Sequence, residues 1–186
     1  MSRPWLLVVS GPPCSGKSVL ARRLAQDTGW PICAKDAFKE ILFETLGSGD
    51  ADWSRRLSLA AFELQLAAAG IVVQAGASVL VEGNFRAAEH AGRLLDLPAR
   101  LVQVACVADH ALLEARHRAR AAGGARHPGH LDAATRWSAA TVARHAPLPV
   151  EPTFTYDSSP GREREYPDLL ARLAALGVPA GRPRGS

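Results

Sequence analysis

Cysteine is scarce. Cys14, Cys33 and Cys106 are the only three, far apart along the chain. They fit neither a disulfide framework nor the paired spacing of a metal site, which favours a reducing compartment. Lysine is scarce too: of 22 basic residues only Lys17, Lys35 and Lys39 are lysine, and all three fall in the first quarter. The rest are arginine. Against 18 acidic residues this leaves a formal charge of +4, too modest for a polybasic surface, so charge neither demands nor excludes a nucleic-acid partner. No uninterrupted apolar run approaches the length of a membrane span. The stretch Trp5 to Val9 is too short for a secretion-signal core and leads into a glycine-rich loop where a cleavage site would stand. The expectation is a cytoplasmic protein with no membrane segment. No internal repeat marks an array.

What is present is ordinary globular composition, 47% hydrophobic and 22% charged over 186 residues, enough to bury a real core. Short β-rich apolar runs alternate with longer helical stretches, the pattern of an α/β domain with a parallel sheet. Strands are expected at Trp5–Ser10, Pro31–Ala34, Ser78–Glu82, Leu101–Val107 and, edge-like, Pro152–Tyr156. Helices are expected at Lys17–Thr28, through Phe38, Ile41, Leu42 and Thr45, and at Asp52–Gln74, the last with an apolar stripe of Leu57, Ala60, Ala61, Leu64, Ala68 and Ile71. Further helices follow at Asp109–Ala122, with Asp109 as N-cap, at Asp132–Arg144 and at Glu163–Leu176. Residues 1–176 read as one domain, and 177–186 as a frayed tail rich in Gly, Pro and Arg.

The sharpest motif is Gly11-Pro12-Pro13-Cys14-Ser15-Gly16-Lys17-Ser18, which matches G-x-x-x-x-G-K-[ST] between an apolar strand and a helix start. In such a loop successive backbone N–H groups cradle phosphates with the help of the helix dipole. Gly16 permits close approach, Lys17 reaches the β- and γ-phosphates, and the Ser18 hydroxyl ligates magnesium. The motif therefore points to ATP with Mg2+. Cys14 reads as a small residue at a variable loop position. There is no Asn-Lys-x-Asp guanine signature, and the chain is short for a motor, so phosphoryl transfer explains more residues than a switch or motor does.

Five stretches carry a resemblance: GPPCSGKS, Lys35 to Glu40 (KDAFKE), Val81 to Phe85 (VEGNF), the arginine-bearing helix from Arg116 to Arg120, and Arg126-His127-Pro128-Gly129-His130. In that order they resemble the P-loop kinase superfamily of nucleotide, shikimate and gluconate kinases, and most of all the small bacterial kinases of the AAA_33, zeta-toxin-like type. The resemblance runs from about residue 5 to residue 157. It implies a three-layer sandwich with a five-stranded parallel sheet of order 2-3-1-4-5, the site at the carboxyl ends of the strands, and a helical lid at about 116–131 with Gly123, Gly124 and Gly129 as hinges.

In that order strand three lies beside strand one, about 5 Å away, and strand two about 10 Å away. Glu82 then falls near the phosphate loop and Asp36 over an acceptor cleft. Asp36 is the general base or the group orienting the attacking hydroxyl, with a helix N-cap as the plain alternative. Glu82 belongs to the magnesium shell or the acceptor site, or simply bonds backbone. Lys39, Asn84 and Arg86 are acceptor-site candidates, against plain solvent exposure for Asn84 and Arg86. Arg116 and Arg120, four apart on one helix face, and Arg126 are the groups expected to stabilise the transferring phosphoryl. His117 and Arg118 read as a solvated face. His127 and His130 anchor the lid or touch the acceptor, and Tyr156 to Ser159 pass beside the adenine base. The leading expectation is an ATP-dependent kinase acting on a hydroxyl of a small molecule, as a monomer or homodimer. The alternatives are a nucleotide or polynucleotide 5′-end kinase, a non-catalytic nucleotide-binding regulator, and a zeta-like toxin.

Overall fold

In the computed structural model the strands are short apolar segments flanked by turn residues, and all of them pair in parallel. The structure describes residues 3–123, 127–128, 138–162 and 164–179. In chain order these form β1 (Trp5–Ser10), α1 (Lys17–Thr28), β2 (Ile32–Ala34), α2 (Lys35–Leu46), α3 (Ala51–Gln74) and β3 (Val79–Glu82). There follow α4 (Ala87–Leu95), β4 (Arg100–Val107), α5 (His110–Ala122), α6 (Ala139–Ala143), β5 (Thr153–Asp157) and α7 (Glu165–Ala175). The five strands make one sheet of order β2-β3-β1-β4-β5, as expected.

The two-residue alternation of strand side chains divides the interior. Leu7 and Val9 of β1, with Leu80 and Val104, pack against Leu20 and Leu24 of α1 and Leu169 and Leu173 of α7. Leu6 and Val8, with Val79 and Val81, pack on the opposite face against Phe62, Leu66, Ala69 and Val73 of α3 and Leu94 of α4. The result is helix, sheet and helix in three layers. Being buried on both faces, β1 is apolar almost throughout, as a central parallel strand must be.

Several expectations shift. The buried stripe of α3 runs through Leu57, Ala61, Phe62, Gln65, Leu66, Ala69, Gly70 and Val73, whereas Leu64 and Ile71 are 45% and 69% exposed and Ala60 is exposed too. An almost wholly apolar helix has several candidate faces, and packing against the sheet chose among them. By length and hydropathy α3 could also cross a membrane; here its inner face covers the sheet. In α2 the anticipated apolar face is kept only in part: Phe38 is half-buried against the core and Leu42 is half-buried, whereas Ile41 is 59% exposed, Thr45 is exposed, and the buried residue is Lys39. The helix α4 was not anticipated. The expected helix 132–144 is described only over α6, and residues 129–137, Glu163 and 180–186 lie outside the described residues. His117 is buried at 8% exposure, not solvated, because it shares an inward face of α5 with Leu113 one turn earlier.

Candidate functional site

Gly11, Cys14 and Gly16 all have positive φ, at 146°, 65° and 81°. This curls the chain between β1 and α1 into a loop whose N–H groups can converge on an anion. At Gly11 a side chain is sterically forbidden, since a Cβ would lie 2.5 Å from the Cys106 carbonyl oxygen and 2.7 Å from Ser15 Oγ. Gly16 precedes α1 without a side-chain cap, so the first N–H groups of the helix remain available to phosphate. Lys17 is buried and its Nζ donates to the Pro12 carbonyl at 3.4 Å.

A cavity of about 840 Å³ opens beside the loop, lined by Cys14, Gly16 to Leu20, Arg23, Arg116, Arg120, Tyr156 to Ser159 and Arg162. Arg116 ties its walls together: one guanidinium nitrogen donates to the Cys14 carbonyl at 3.3 Å and Ser158 Oγ at 2.9 Å, the other to the Ser158 carbonyl at 2.8 Å. Arg120 reaches Cys14 Sγ at 3.7 Å. Asp157 accepts from the Ser159 N–H at 2.9 Å, and the Ser159 hydrogen bonds hold its carboxyl below the usual range. Arg23 and Arg162 on this wall were not anticipated, because neither belongs to a motif and only the fold brings them beside the loop.

On the other side of Lys17 the sheet register sets the acidic groups. Val9 of β1 and Ala34 of β2 both face Glu82 of β3, so Glu82 ends the strand next to the loop and Lys35-Asp36 follow at the end of the strand beyond. Glu82 is 3% exposed and accepts from Ser18 Oγ at 3.3 Å. Burial pushes its carboxyl up, with Lys17 opposing and Asp36 adding to the rise. A buried carboxylate beside a hydroxyl fits a hard cation. Among the described residues no three His, Cys, Asp or Glu side chains cluster as a metal site.

Asp36 lies in the first turn of α2, whose N-cap is Ala34, so its helix-capping alternative is displaced by two residues. Lys39, one turn on, is buried and donates to Ser54 Oγ of α3 at 2.9 Å. Asn84 is half-buried. Arg86 pairs with Glu89 at 2.5 Å. Asp36, Lys39, Glu82, Asn84 and Arg86 thus lie outside the cavity that holds Lys17, Ser18, Arg116 and Arg120. Two groups missed in the sequence support this side. Gln65 of α3 donates to the Cys33 and Glu82 carbonyls at 2.6 and 2.9 Å, joining the ends of β2 and β3. His145 Nδ1 lies 3.3 Å from the Phe85 carbonyl oxygen. From the expected lid, His127 meets α2, with Nε2 3.2 Å from Glu44 and its ring edge-on to Phe43 at 5.3 Å. Arg126, Gly124, Gly129 and His130 lie outside the described residues.

A glycine-rich phosphate loop at the carboxyl end of the central strand of a 2-3-1-4-5 parallel sheet defines the class, that of the P-loop kinases. Residues 6–145 match the AAA_33 family, described as an AAA domain, and the chain belongs to that family. A protein of Chloroflexus aurantiacus J-10-fl, provisionally described as a kinase, is 32% identical with a TM-score of 0.82, over 94% of this chain and 98% of that one. A gluconokinase from Sinorhizobium meliloti 1021 shares the fold at 22% identity and a TM-score of 0.58, over 95% and 97% of the two chains. The Mycobacterium tuberculosis APS kinase CysC, in complex with AMPPNP and APS, does so at 18% and 0.59, over 94% and 99%. No curated protein matches in sequence.

Proposed function

We propose that this chain is an ATP-dependent phosphotransferase that moves the γ-phosphoryl of Mg-ATP to a hydroxyl of a small molecule in the cytoplasm. The observation that carries the reading is the placement of two carboxylates at successive steps from the phosphate loop: Glu82 bonded to Ser18 of the loop, and Asp36 two residues past the Ala34 that pairs with it.

The loop from Gly11 to Ser18 binds the triphosphate, with Lys17 on the β- and γ-phosphates. Ser18 and Glu82 are the protein groups that hold magnesium, which when bound neutralises charge on the phosphate oxygens. Asp36 orients the acceptor hydroxyl and accepts its proton as the oxygen attacks the γ-phosphorus in line with the departing ADP oxygen. Arg116 and Arg120, with Arg126 from the lid, stabilise charge on the transferring group. Lys39, Asn84 and Arg86 line the acceptor side. The nucleoside lies in the cavity between Arg23, Tyr156 and Ser158.

The test is ADP release with a panel of hydroxyl compounds (sugars, sugar acids, nucleosides, amino alcohols). Asp36→Ala is expected to retain ATP binding and lose acceptor-dependent ADP release by a factor of about 100 or more, the scale of a lost general base. Acceptor-dependent release that survives in Asp36→Ala removes the assigned role. Release that no acceptor stimulates in the wild type favours a nucleotide-binding regulator.

A further inference from the structure

Four arginines line the cavity beside the phosphate loop, and three of them are bonded to its walls. Arg116 spans Cys14 and Ser158, Arg120 reaches Cys14 Sγ, and Arg162 lies 3.4 Å from Asp157. Arg23 differs. Among the described residues its guanidinium makes no hydrogen bond or ion pair, and it lies 3.5 Å over the centre of the Tyr166 ring. Tyr166, in the first turn of α7, is 3% exposed, and its hydroxyl donates to Asp27 of α1. Burial and the Asp27 carboxylate both push its phenol up, so it stays a proton donor at physiological pH.

Arg23 and Asp27 stand four apart, hence on one side of α1. Tyr166 braces that side at two points, its hydroxyl at Asp27 and its ring under Arg23. A guanidinium is flat and weakly hydrated, and both of its faces can stack. Tyr166 covers one face; Arg23 is exposed and lines the cavity, which leaves the other face to a ligand. Val19, four residues before Arg23 on the same side, lines the same cavity and is 66% exposed, so the flat surface has an apolar neighbour. Arg23 lies six residues beyond Lys17, about 9 Å along the helix axis. That sets the stack a ribose's reach from the phosphate site rather than on it. An arginine resting on a tyrosine is common packing; this one stands in the cavity wall with its polar edge unengaged.

We propose that Arg23 is the platform on which the base of the nucleotide stacks, and that Tyr166, fixed by Asp27, is the positioning residue that holds the guanidinium flat. Holding it there before a ligand arrives lowers the ordering cost of binding. The inference rests on the phosphotransferase reading for the nucleotide's place in the cavity, but its test does not require turnover.

The full chain is titrated calorimetrically with Mg-ADP and with Mg-pyrophosphate, which share the phosphate contacts and differ by the nucleoside. Arg23→Ala is expected to weaken ADP at least about fivefold, the scale of one base stacked on a cationic surface, and to leave pyrophosphate within about twofold. Arg23→Lys keeps the charge without the plane and should recover little of the loss. Tyr166→Leu should lower the preference for ADP as well, with pyrophosphate affinity reporting an intact loop, and Tyr166→Phe, which keeps the ring, should lower it less. Adding Arg23→Ala to Tyr166→Leu should then cost less than Arg23→Ala does alone, because both act through one contact. Equal losses of ADP and pyrophosphate in Arg23→Ala would make Arg23 a phosphate ligand and overturn the platform. An unchanged ratio of ADP to pyrophosphate affinity overturns it too and leaves the phosphotransferase reading standing. Full additivity of the two substitutions removes the positioning role of Tyr166. A wild type that binds neither ligand defeats the inference and that reading together.

Discussion

Arg116 illustrates how much one side chain can hold. Its guanidinium makes three hydrogen bonds that span the phosphate loop and the segment after β5. Removing it frees both walls of the cavity beside the phosphate loop, and Arg116→Ala is expected to weaken ATP binding at least about tenfold by calorimetry. Arg116→Lys should not restore it, because a single ammonium cannot reproduce the planar fork; full recovery with lysine would show that charge alone matters. The histidines bonded to the segment after β3, His90 to the Arg86 N–H and His145 to the Phe85 carbonyl, respond to pH. Burial holds His90 and His145 below their ordinary 6.5, so the unfolded chain binds more protons than the folded one just under that value. Their contribution is complete above about pH 6.5 and is lost as pH falls through their folded values. The urea midpoint should drop over that window, and the double variant His90→Gln, His145→Gln should show a shallower drop; an unchanged slope would assign the pH dependence elsewhere.

Among the elements, the β1–α1 loop and the α3–sheet contact are the points where backbone conformation meets chemistry. Gly11→Ala must relieve a Cβ 2.5 Å from a backbone oxygen at φ 146°, while Gly29→Ala faces open space at φ 71°. The first is expected to cost more than about 2 kcal/mol and to abolish nucleotide binding. The second should cost about 1 kcal/mol, as a helix C-cap glycine does, without touching binding. Equal losses in urea denaturation would mean that the close contact at Gly11 relaxes freely. Gln65 secures the ends of β2 and β3 from α3, and its Oε1 is buried without a partner. Gln65→Leu leaves two carbonyls without their donor and should destabilise by about 1–3 kcal/mol, and it should lower transfer more than ATP binding by loosening Asp36 against Glu82.

At the scale of the molecule, a ligand that binds only the folded chain stabilises it by mass action. Mg-ATP at about 100 times its dissociation constant should add about 2.7 kcal/mol, read as a rise in thermal midpoint that Lys17→Ala abolishes. A rise that survives in Lys17→Ala would place the nucleotide elsewhere. The sequence alone determined the phosphate loop, because eight consecutive residues carry both the backbone freedom and the functional groups, and nothing distant is needed to recognise them. It determined the strand sequence too, since apolar runs of that length between turn residues have few other uses, and with the family resemblance it led to the 2-3-1-4-5 order. The buried face of α3 and the role of α2 were decided only by tertiary packing. Both helices offer several apolar stripes, and the sheet selected one on α3 while burying Lys39 rather than Ile41 on α2. Arg23, Arg162, Gln65 and His145 come from four separate segments and join the site only through the folded chain. The phosphate loop was local and legible; the groups that line the rest of the site come from distant segments, and only the tertiary structure could bring them together.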